Sequence, residues 1–256
     1  MGAIRLIFRL PFLLLHLVLG TPATALAFYP PFRGRRLKGE LLQNIMLRWW
    51  GRTTCRIFGV TVHCSKEFPA GAQLLVANHI SWLDIQVLFS LSPMGFVAKA
   101  EIENWPVAGL MARIGGTVFH RRGSHDSASG VATVMAQRLS QGGKVTIFPE
   151  GGILPGFGVK RFYARLFAAA IQTGTPVQPV AIRYLLDGQH FKDITFRDDE
   201  NFVTNIFRLL TQPRRIVEVV ILEPLVSQDM ARRDLAMQAE SAVRAAFDAE
   251  ITSPNE

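Results

Sequence analysis

Two polar residues near position 80 have the types and the spacing for proton-transfer chemistry. His79 and Asp84 lie between two apolar runs. On a regular helix, five residues separate two side chains by about 140°, so the pair can meet only if His79 lies in a turn and Asp84 in the first turn of a helix. A carboxylate that orients a histidine makes it a general base, because it fixes the tautomer and stabilises the imidazolium. Ser81 and Asp84 also have the spacing of a capping box, which needs no catalysis, so both interpretations stay open.

Two other turns carry residues suited to binding a substrate. The run at 115–122 ends in Arg121 and Arg122, and adjacent guanidinium groups suit an anion such as a phosphate. Glu150 and Gly151 follow another apolar run, and a glycine there lets the backbone approach a substrate closely. Taken one at a time, these segments are explained better by solvated arginines and by a glycine that only shapes a turn.

From residue 59 onward, short β-rich runs alternate with helical stretches, which is typical of an α/β fold with a sheet covered by helices. In such folds the chemistry usually lies on the turns at strand ends. The predicted strands are 61–63, 74–77, 96–98, 117–119, 144–148, 177–183 and 216–222, and the predicted helices are 83–90, 106–114, 125–141, 161–172, 201–210 and 228–250.

The N-terminal segment is predicted to contact a membrane. Residues 10–28 form a nearly continuous apolar run of about 19 residues, close to the ~20 that a spanning helix needs. Basic residues follow at 33–38, and such a cluster beside an apolar anchor attracts anionic head groups. The alternative is a secretory signal peptide, which Arg5, Arg9 and the small residues at 25–27 resemble.

A further helix is predicted at 40–58, where apolar residues recur at helical spacing and Arg48, Arg52 and Arg56 form a row. An amphipathic helix in the membrane interface fits, with Trp49 and Trp50 at head-group depth. A helix that covers the core of the following domain fits as well. The chain is therefore divided into a membrane anchor with an amphipathic helix at 1–58 and a globular domain at 59–256.

Composition limits the classes of function. The 256 residues are 49% hydrophobic and 19% charged, which excludes a disordered chain. The formal net charge of +8 attracts nucleic acid, anionic lipids or phosphorylated molecules. Nucleic acid is not expected as a partner, because the basic residues do not interleave with aromatic residues as they do in binding modules. Cys55 and Cys64 have neither metal-ligand spacing nor a disulfide framework, which favours a reducing compartment.

Four segments, taken together and in order, resemble the glycerolipid acyltransferase family, specifically the 1-acylglycerol-3-phosphate acyltransferases. The family patterns N-H-x-S-x-x-D, G-x-[IV]-F-x-x-R, F-P-E-G and V-P-[VI]-x-P-V correspond to residues 78–84, 116–122, 148–151 and 175–180. The second pattern makes Arg122 the motif arginine. The resemblance covers residues 74–184 and implies a mixed central sheet covered by helices, with the acyltransferase domain at 59–256.

The resemblance implies acyl transfer from a thioester to a lipid hydroxyl. His79 would remove the hydroxyl proton while Asp84 holds the imidazole, and Arg122, Glu150 and Gly151 would place the polar head of the acceptor. No acyl-enzyme, metal or other cofactor is expected. The donor would be an acyl-CoA or an acyl carrier protein thioester, which places the domain on the cytoplasmic face of the inner membrane.

The third segment departs from the family pattern, since Gly152 and Ile153 stand where Thr and often Arg are usual. The main expectation is a 1-acyl-sn-glycerol-3-phosphate O-acyltransferase, which converts lysophosphatidic acid into phosphatidic acid. If the missing arginine binds phosphate, its loss favours the alternative, a lyso-ornithine lipid O-acyltransferase whose acceptor has no phosphate. Lys160 and Arg161 are candidates to replace the missing charge.

Two classes outside this family compete with it. A serine hydrolase that uses Ser81 is disfavoured, because Ile80 and Trp82 flank the serine and no G-x-S-x-G elbow surrounds it. A non-catalytic membrane scaffold with the same fold would keep its function when His79 is replaced by alanine, whereas an enzyme would lose turnover.

Overall fold

The computed structural model describes residues 1–120, 125–153 and 157–250. Within these ranges an eight-stranded mixed sheet is flanked by helices, as the sequence predicts. The strands are β1 Arg36–Leu37, β2 Glu40–Leu41, β3 Val60–Cys64, β4 Gln73–Ala77, β5 Gly95–Lys99, β6 Val118–His120, β7 Lys144–Ile147, β8 Val177–Leu186, β9 Gln189–His190 and β10 Arg215–Ile221. The α-helices are α1 Gly2–Leu15, α2 Thr21–Leu26, α3 Leu42–Ile57, α4 Leu83–Leu91, α5 Pro106–Ile114, α6 His125–Ser140, α7 Ala168–Thr173, α8 Phe202–Thr211 and α9 Arg232–Asp248.

The sheet order places the loops after β4 and β7 next to each other at one edge. The strands run β3-β10-β8-β4-β7-β5-β6, and β9 pairs with β8. The five strands from β8 to β6 are parallel, whereas β10 pairs antiparallel with β8. Every residue of β4 is buried, because helices cover both faces of a parallel sheet. The carboxyl ends of β4 and β7 therefore lie side by side, which brings the loop after position 77 next to the loop after position 147.

Helix α3 packs on the core rather than lying free in the membrane interface. Its buried residues include Leu47 and Trp50, and it crosses α4 at Gly51. A Cβ atom at Gly51 would lie 2.6 Å from the carbonyl oxygen of Gln86 and 2.7 Å from the backbone nitrogen of Ser90. Trp49 stays 41% exposed. The interpretation that this helix covers the core is thus confirmed, and its contact with a membrane through the exposed face stays a prediction.

The N-terminal helix is attached to the domain by polar contacts. A continuous helical segment, Gly2–Leu26, joins α1 to α2 through one π-helical turn, and it is long and apolar enough to cross a membrane. Arg9 donates hydrogen bonds to the carbonyl oxygens of Leu210 and Gln212 at the end of α8, at 3.0 and 2.7 Å. His16 stacks on Trp50 with ring centroids 4.0 Å apart. Most of the outward apolar side chains of this segment remain exposed.

Most predicted elements are found, and the exceptions have local causes. The predicted helix at 161–172 begins only at Ala164, as a 3₁₀ turn before α7. Phe162 and Tyr163 stay extended, because their backbone N–H groups bond to distant acceptors on α9 and after β7. The predicted helix at 228–250 begins at Arg232, since Asp229 adopts φ +59° and interrupts it. The short strands β1, β2 and β9 carry no apolar pattern that predicts them.

Candidate active site

Asn78 ties the loop after β4 to its neighbour β8. The pairing of β4 with β8 ends at Ala77 opposite Val180, so β8 continues beyond β4 along this loop. The Asn78 side chain is fully buried; it donates to the Ile182 carbonyl oxygen at 3.0 Å and accepts from the Ile182 N–H at 2.8 Å. These two side-chain bonds take the place of the next backbone hydrogen bonds between β4 and β8. The backbone of the loop is thereby fixed one residue before His79.

His79 and Asp84 meet as the sequence analysis requires. His79 lies in the loop, Asp84 lies in the first turn of α4, and Nδ1 of His79 is 2.9 Å from Oδ2 of Asp84. Because a carboxylate only accepts, the imidazole places its proton on Nδ1. Nε2 then carries the lone pair, and the His79 side chain keeps 11% exposure. This is the geometry of a histidine that accepts a proton at Nε2 from a bound molecule.

Asp84 also holds the backbone of the loop that precedes α4. Oδ2 of Asp84 also accepts the backbone N–H groups of Ile80 and Ser81, at 2.7 and 2.9 Å. The Ser81 hydroxyl accepts from the Leu83 N–H at 3.3 Å rather than from the Asp84 N–H, so only one of the two bonds of a capping box is formed. One carboxylate oxygen of Asp84 therefore holds both the loop backbone and the imidazole.

Tyr184 completes the environment of Asp84, and sequence reasoning missed it. Its hydroxyl donates to Oδ1 of Asp84 at 2.8 Å, and both side chains are fully buried. Burial, followed by the charge and the hydrogen bond of Asp84, raises the pKa of Tyr184 well above its ordinary value, so the phenol stays protonated and can only donate to this oxygen. Asp84 thus accepts four hydrogen bonds without a salt bridge to lysine or arginine among the described residues.

The loop after β7 supplies the other wall of the site. Phe148 stacks on the His79 ring with centroids 3.9 Å apart and an interplanar angle of 12°. The Glu150 side chain is buried and accepts from the Lys160 N–H at 3.1 Å. Desolvation raises the pKa of Glu150 to about 7, while hydrogen bonds from the backbone of Lys160 and His79 lower it. Glu150 therefore lies behind the His79 loop and is coupled to the charge of Asp84.

Of the remaining predicted residues, Gly151, Lys160 and Arg161 follow β7 in the chain and are described, whereas one is not. Gly151 is exposed at φ +80°, in a turn whose N–H donates to the Phe148 carbonyl oxygen. Lys160 donates from Nζ to the Phe157 carbonyl oxygen at 3.4 Å, and Arg161 is exposed. Arg122 lies outside the described residues. Within the described residues, no three His, Cys, Asp or Glu side chains form a group that can hold a metal ion.

The chain is similar to known acyltransferases. A family model described as Acyltransferase matches residues 59–183. The chain is 39% identical to a lyso-ornithine lipid O-acyltransferase of Pseudomonas aeruginosa over 249 residues, covering 96% of this chain and 95% of that protein. It is 34% identical to a 1-acyl-sn-glycerol-3-phosphate acyltransferase of Neisseria meningitidis over 190 residues, which cover 72% of this chain and 73% of that protein.

A solved structure has the same fold. The crystal structure of the 1-acyl-sn-glycerophosphate acyltransferase PlsC from Thermotoga maritima superposes with a TM-score of 0.69, at 22% identity, over 96% of both chains. At this identity the match bears on the fold alone. It confirms a mixed α/β sheet flanked by helices.

Proposed function

Because the chain belongs to the acyltransferase family, we propose that it transfers an acyl chain from a thioester to the hydroxyl group of a lyso-ornithine lipid. The observation that carries the choice of acceptor is the 39% identity to a lyso-ornithine lipid O-acyltransferase along 96% of this chain. The match to a 1-acyl-sn-glycerol-3-phosphate acyltransferase covers 72% of the chain at 34%. The main expectation from the sequence is thus supported less well than its alternative.

The turn after Glu150 supports the same choice. Gly151 has φ +80° and Gly152 has φ +146°, both in the region that residues with a Cβ rarely adopt. A threonine at position 152, as the family pattern usually has, would be strained in this turn. The backbone is therefore shaped for two glycines, and no arginine follows at 153. An ornithine head group carries a carboxylate and an ammonium group and has no phosphate for an arginine at that position to bind.

The geometry is suited to direct transfer between the two substrates. In the proposed reaction, Nε2 of His79 removes the proton of the acceptor hydroxyl while the hydroxyl oxygen attacks the thioester carbonyl carbon. The tetrahedral intermediate then collapses, the carbon–sulfur bond breaks, and the imidazolium returns the proton to the leaving sulfur. Asp84 stabilises the imidazolium through Nδ1, at the observed 2.9 Å. No covalent bond to the protein is formed.

Lysophosphatidic acid is the second candidate acceptor, favoured by the 34% identity to the Neisseria enzyme. The proposed roles of Arg122, Glu150 and Gly151 in placing the head group apply to either acceptor. For Glu150 the supporting observation is its position behind the His79 loop. Burial there raises its pKa to about 7, so the charges and hydrogen bonds around it affect its protonation state. The donor proposed from the sequence, acyl-CoA or acyl carrier protein, is the same in both cases.

Membrane association is supported by the apolar helix Gly2–Leu26 and by the lipid substrates of the relatives. We propose that residues 1–58 form the anchor and that the domain at 59–256 lies on the cytoplasmic face of the inner membrane. The bonds from Arg9 to the end of α8 favour retention of the helix over removal as a signal peptide. Protease protection of the domain in inside-out vesicles would contradict the cytoplasmic face.

An acceptor comparison tests the proposal. Purified protein in mixed micelles receives a radiolabelled acyl thioester, as the CoA or the carrier-protein form, with lyso-ornithine lipid or lysophosphatidic acid. We expect transfer to lyso-ornithine lipid, and a loss of about 10²- to 10⁴-fold in His79→Ala, because the general base is removed. His63→Ala is the matched control, since His63 is exposed on β3, and it should keep full activity.

The outcomes separate the candidates. Transfer to lysophosphatidic acid alone would replace the proposed acceptor with the second candidate. Transfer to neither lipid by folded protein would refute both acceptors. Activity of His79→Ala equal to that of His63→Ala would refute the proposed base.

A further inference from the structure

A cavity of about 950 Å³ lies between the N-terminal helix and α3, away from the candidate active site, with which it shares no lining residue. Its volume is at the upper end of the range for small-molecule sites. The walls are largely apolar and come mainly from two sides. The large apolar side chains that line it include Phe8, Phe12, Leu15, Leu19 and Trp49.

The apolar lining is continuous with the outer surface of the helix. Phe8, Phe12 and Leu15 are 68%, 62% and 55% exposed, and Leu19 is 60% exposed. They belong to the segment Gly2–Leu26, whose length and apolar composition suit a membrane. The cavity therefore opens toward the apolar phase in which this helix resides, so a molecule that fills it enters from the bilayer with a hydrocarbon chain.

The polar part of the cavity carries charge of a single sign. Arg5, Arg9, Arg56 and Arg214 line it, and no Asp or Glu is among the lining residues. Among the described residues, Arg5 and Arg9 donate only to backbone carbonyl oxygens at the end of α8, which fixes their positions and gives their charge no acidic partner there. Arg56 and Arg214 are exposed, and within the described ranges neither forms a hydrogen bond or an ion pair.

Arg5, Arg9 and Arg214 are close enough to act on one another. The charges of Arg5 and Arg214 both act on the guanidinium of Arg9, which packs on Gly59: a Cβ there would lie 2.2 Å from Nη2 of Arg9. Like charges at such range repel, and an anion between them removes the repulsion. Guanidinium groups bind phosphate with paired, charge-assisted hydrogen bonds.

We propose that this cavity binds one anionic glycerophospholipid from the surrounding bilayer, with an acyl chain along the aromatic and leucine lining and the phosphate among the arginines. A free phosphate ion would leave the apolar walls empty. A zwitterionic lipid would leave the charge of the cluster uncompensated. The inference rests on the membrane anchor proposed for residues 1–58 but not on the proposed reaction, because it concerns binding alone.

Native mass spectrometry of the full chain, released from micelles that contain either phosphatidylglycerol or phosphatidylcholine, tests the stoichiometry and the charge preference. We expect one retained phosphatidylglycerol per chain and little phosphatidylcholine. The double variant Arg56→Gln/Arg214→Gln should retain the lipid about 30-fold more weakly, since each basic residue near anionic lipid is worth about 1 kcal/mol. Arg56→Lys/Arg214→Lys should retain most of the binding.

The matched control removes two exposed charges elsewhere. Arg232 and Arg233 are exposed at the start of α9, outside the N-terminal segment, and do not line the cavity. Arg232→Gln/Arg233→Gln should leave the retained lipid unchanged, whereas an equal loss in both double variants would mean general attraction to anionic surfaces and would overturn the proposal. If millimolar inorganic phosphate displaced the lipid, the cavity would be a site for anions alone, and this result would also overturn the proposal.

A second readout does not depend on the arginine variants. Phosphatidylglycerol with brominated acyl chains quenches tryptophan fluorescence on contact, and Trp49 lines the cavity. We expect Trp49→Phe to remove the largest part of the quenching. Trp105→Phe is the control, because Trp105 is similarly exposed, at 39%, but lies outside the cavity. Equal quenching loss in both variants would refute occupation by an acyl chain.

Discussion

Replacing Tyr184 by phenylalanine should lower turnover without changing acceptor binding. The substitution removes the hydroxyl that donates to Oδ1 of Asp84 at 2.8 Å and leaves the ring in place. A hydrogen bond to a charged group is worth about 1.5–3 kcal/mol. If this loss falls on the transition state, in which Asp84 stabilises the imidazolium, kcat falls about ten- to a hundred-fold. Tyr184 is fully buried, so KM for the acceptor should stay within about two-fold.

The assay is the initial rate of acyl transfer to lyso-ornithine lipid, corrected for the folded fraction. Tyr163→Phe is the matched control, because Tyr163 is 58% exposed, and its rate should equal that of the parent protein. Thermal unfolding of Tyr184→Phe should show a loss of stability of similar size, since one of four bonds to a buried carboxylate is lost.

A double-mutant cycle separates a positioning role from mere stability. In Asp84→Asn, the amide oxygen is expected to take the place of Oδ2, which accepts three hydrogen bonds, so the amide nitrogen faces the Tyr184 oxygen. This single variant should lose at least about 10³-fold in kcat, because the imidazolium loses its counter-charge. Adding Tyr184→Phe should then cost less than about three-fold. An unchanged ten- to hundred-fold cost in the Asp84→Asn background would refute the idea that Tyr184 acts through Asp84.

Three further predictions concern stability, each measured by thermal or denaturant unfolding in detergent. Burial raises the Glu150 pKa from 4.5 to about 7. The unfolded chain therefore releases this proton at a lower pH than the folded chain does, and the free energy of unfolding falls as pH rises from 4.5 to 7. Glu150→Gln should therefore match the parent near pH 4.5 and exceed it by up to about 3 kcal/mol at pH 8; a pH-independent difference would contradict this. Asn78→Ala should cost about 2–5 kcal/mol, because it leaves the buried N–H and C=O of Ile182 without partners; a loss below 1 kcal/mol would mean that water replaces the side chain. Gly51→Ala should cost about 1–3 kcal/mol by forcing α3 away from α4, and an unchanged melting temperature would show that the crossing adjusts freely.

The order of elements is predictable because the buried strands are apolar runs between turn residues. Each of the seven predicted strands corresponds to an observed strand to within a few residues. The helix at 161–172 is placed too early for a reason that local patterns do not contain. The backbone of Phe162 bonds to Glu240, which lies 78 residues later, and this contact outweighs local helix preference.

The candidate site is predictable only in its local half. His79 and Asp84 are five residues apart, so a single turn brings them together. Tyr184 lies 100 residues beyond Asp84, within the almost completely buried and mainly apolar strand β8, where it has the pattern of a core residue. Phe148 likewise reaches His79 only through the pairing of β4 with β7. Both contacts depend on which residues of neighbouring strands lie side by side. Local sequence does not specify this register in a parallel sheet.

The mixed topology of the sheet explains how β8 holds the His79 loop. Beyond Val180, β8 has lost β4 as a partner, yet Ile182 and Tyr184 must stay rigid to anchor Asn78 and Asp84. The antiparallel strand β10 supplies that rigidity, since it pairs with Ile182 and Tyr184 along the other edge. Without this partner, the extension of β8 would be held only by its short hairpin with β9 and would fray more easily. The antiparallel strand therefore acts on the active site without contributing a side chain to it.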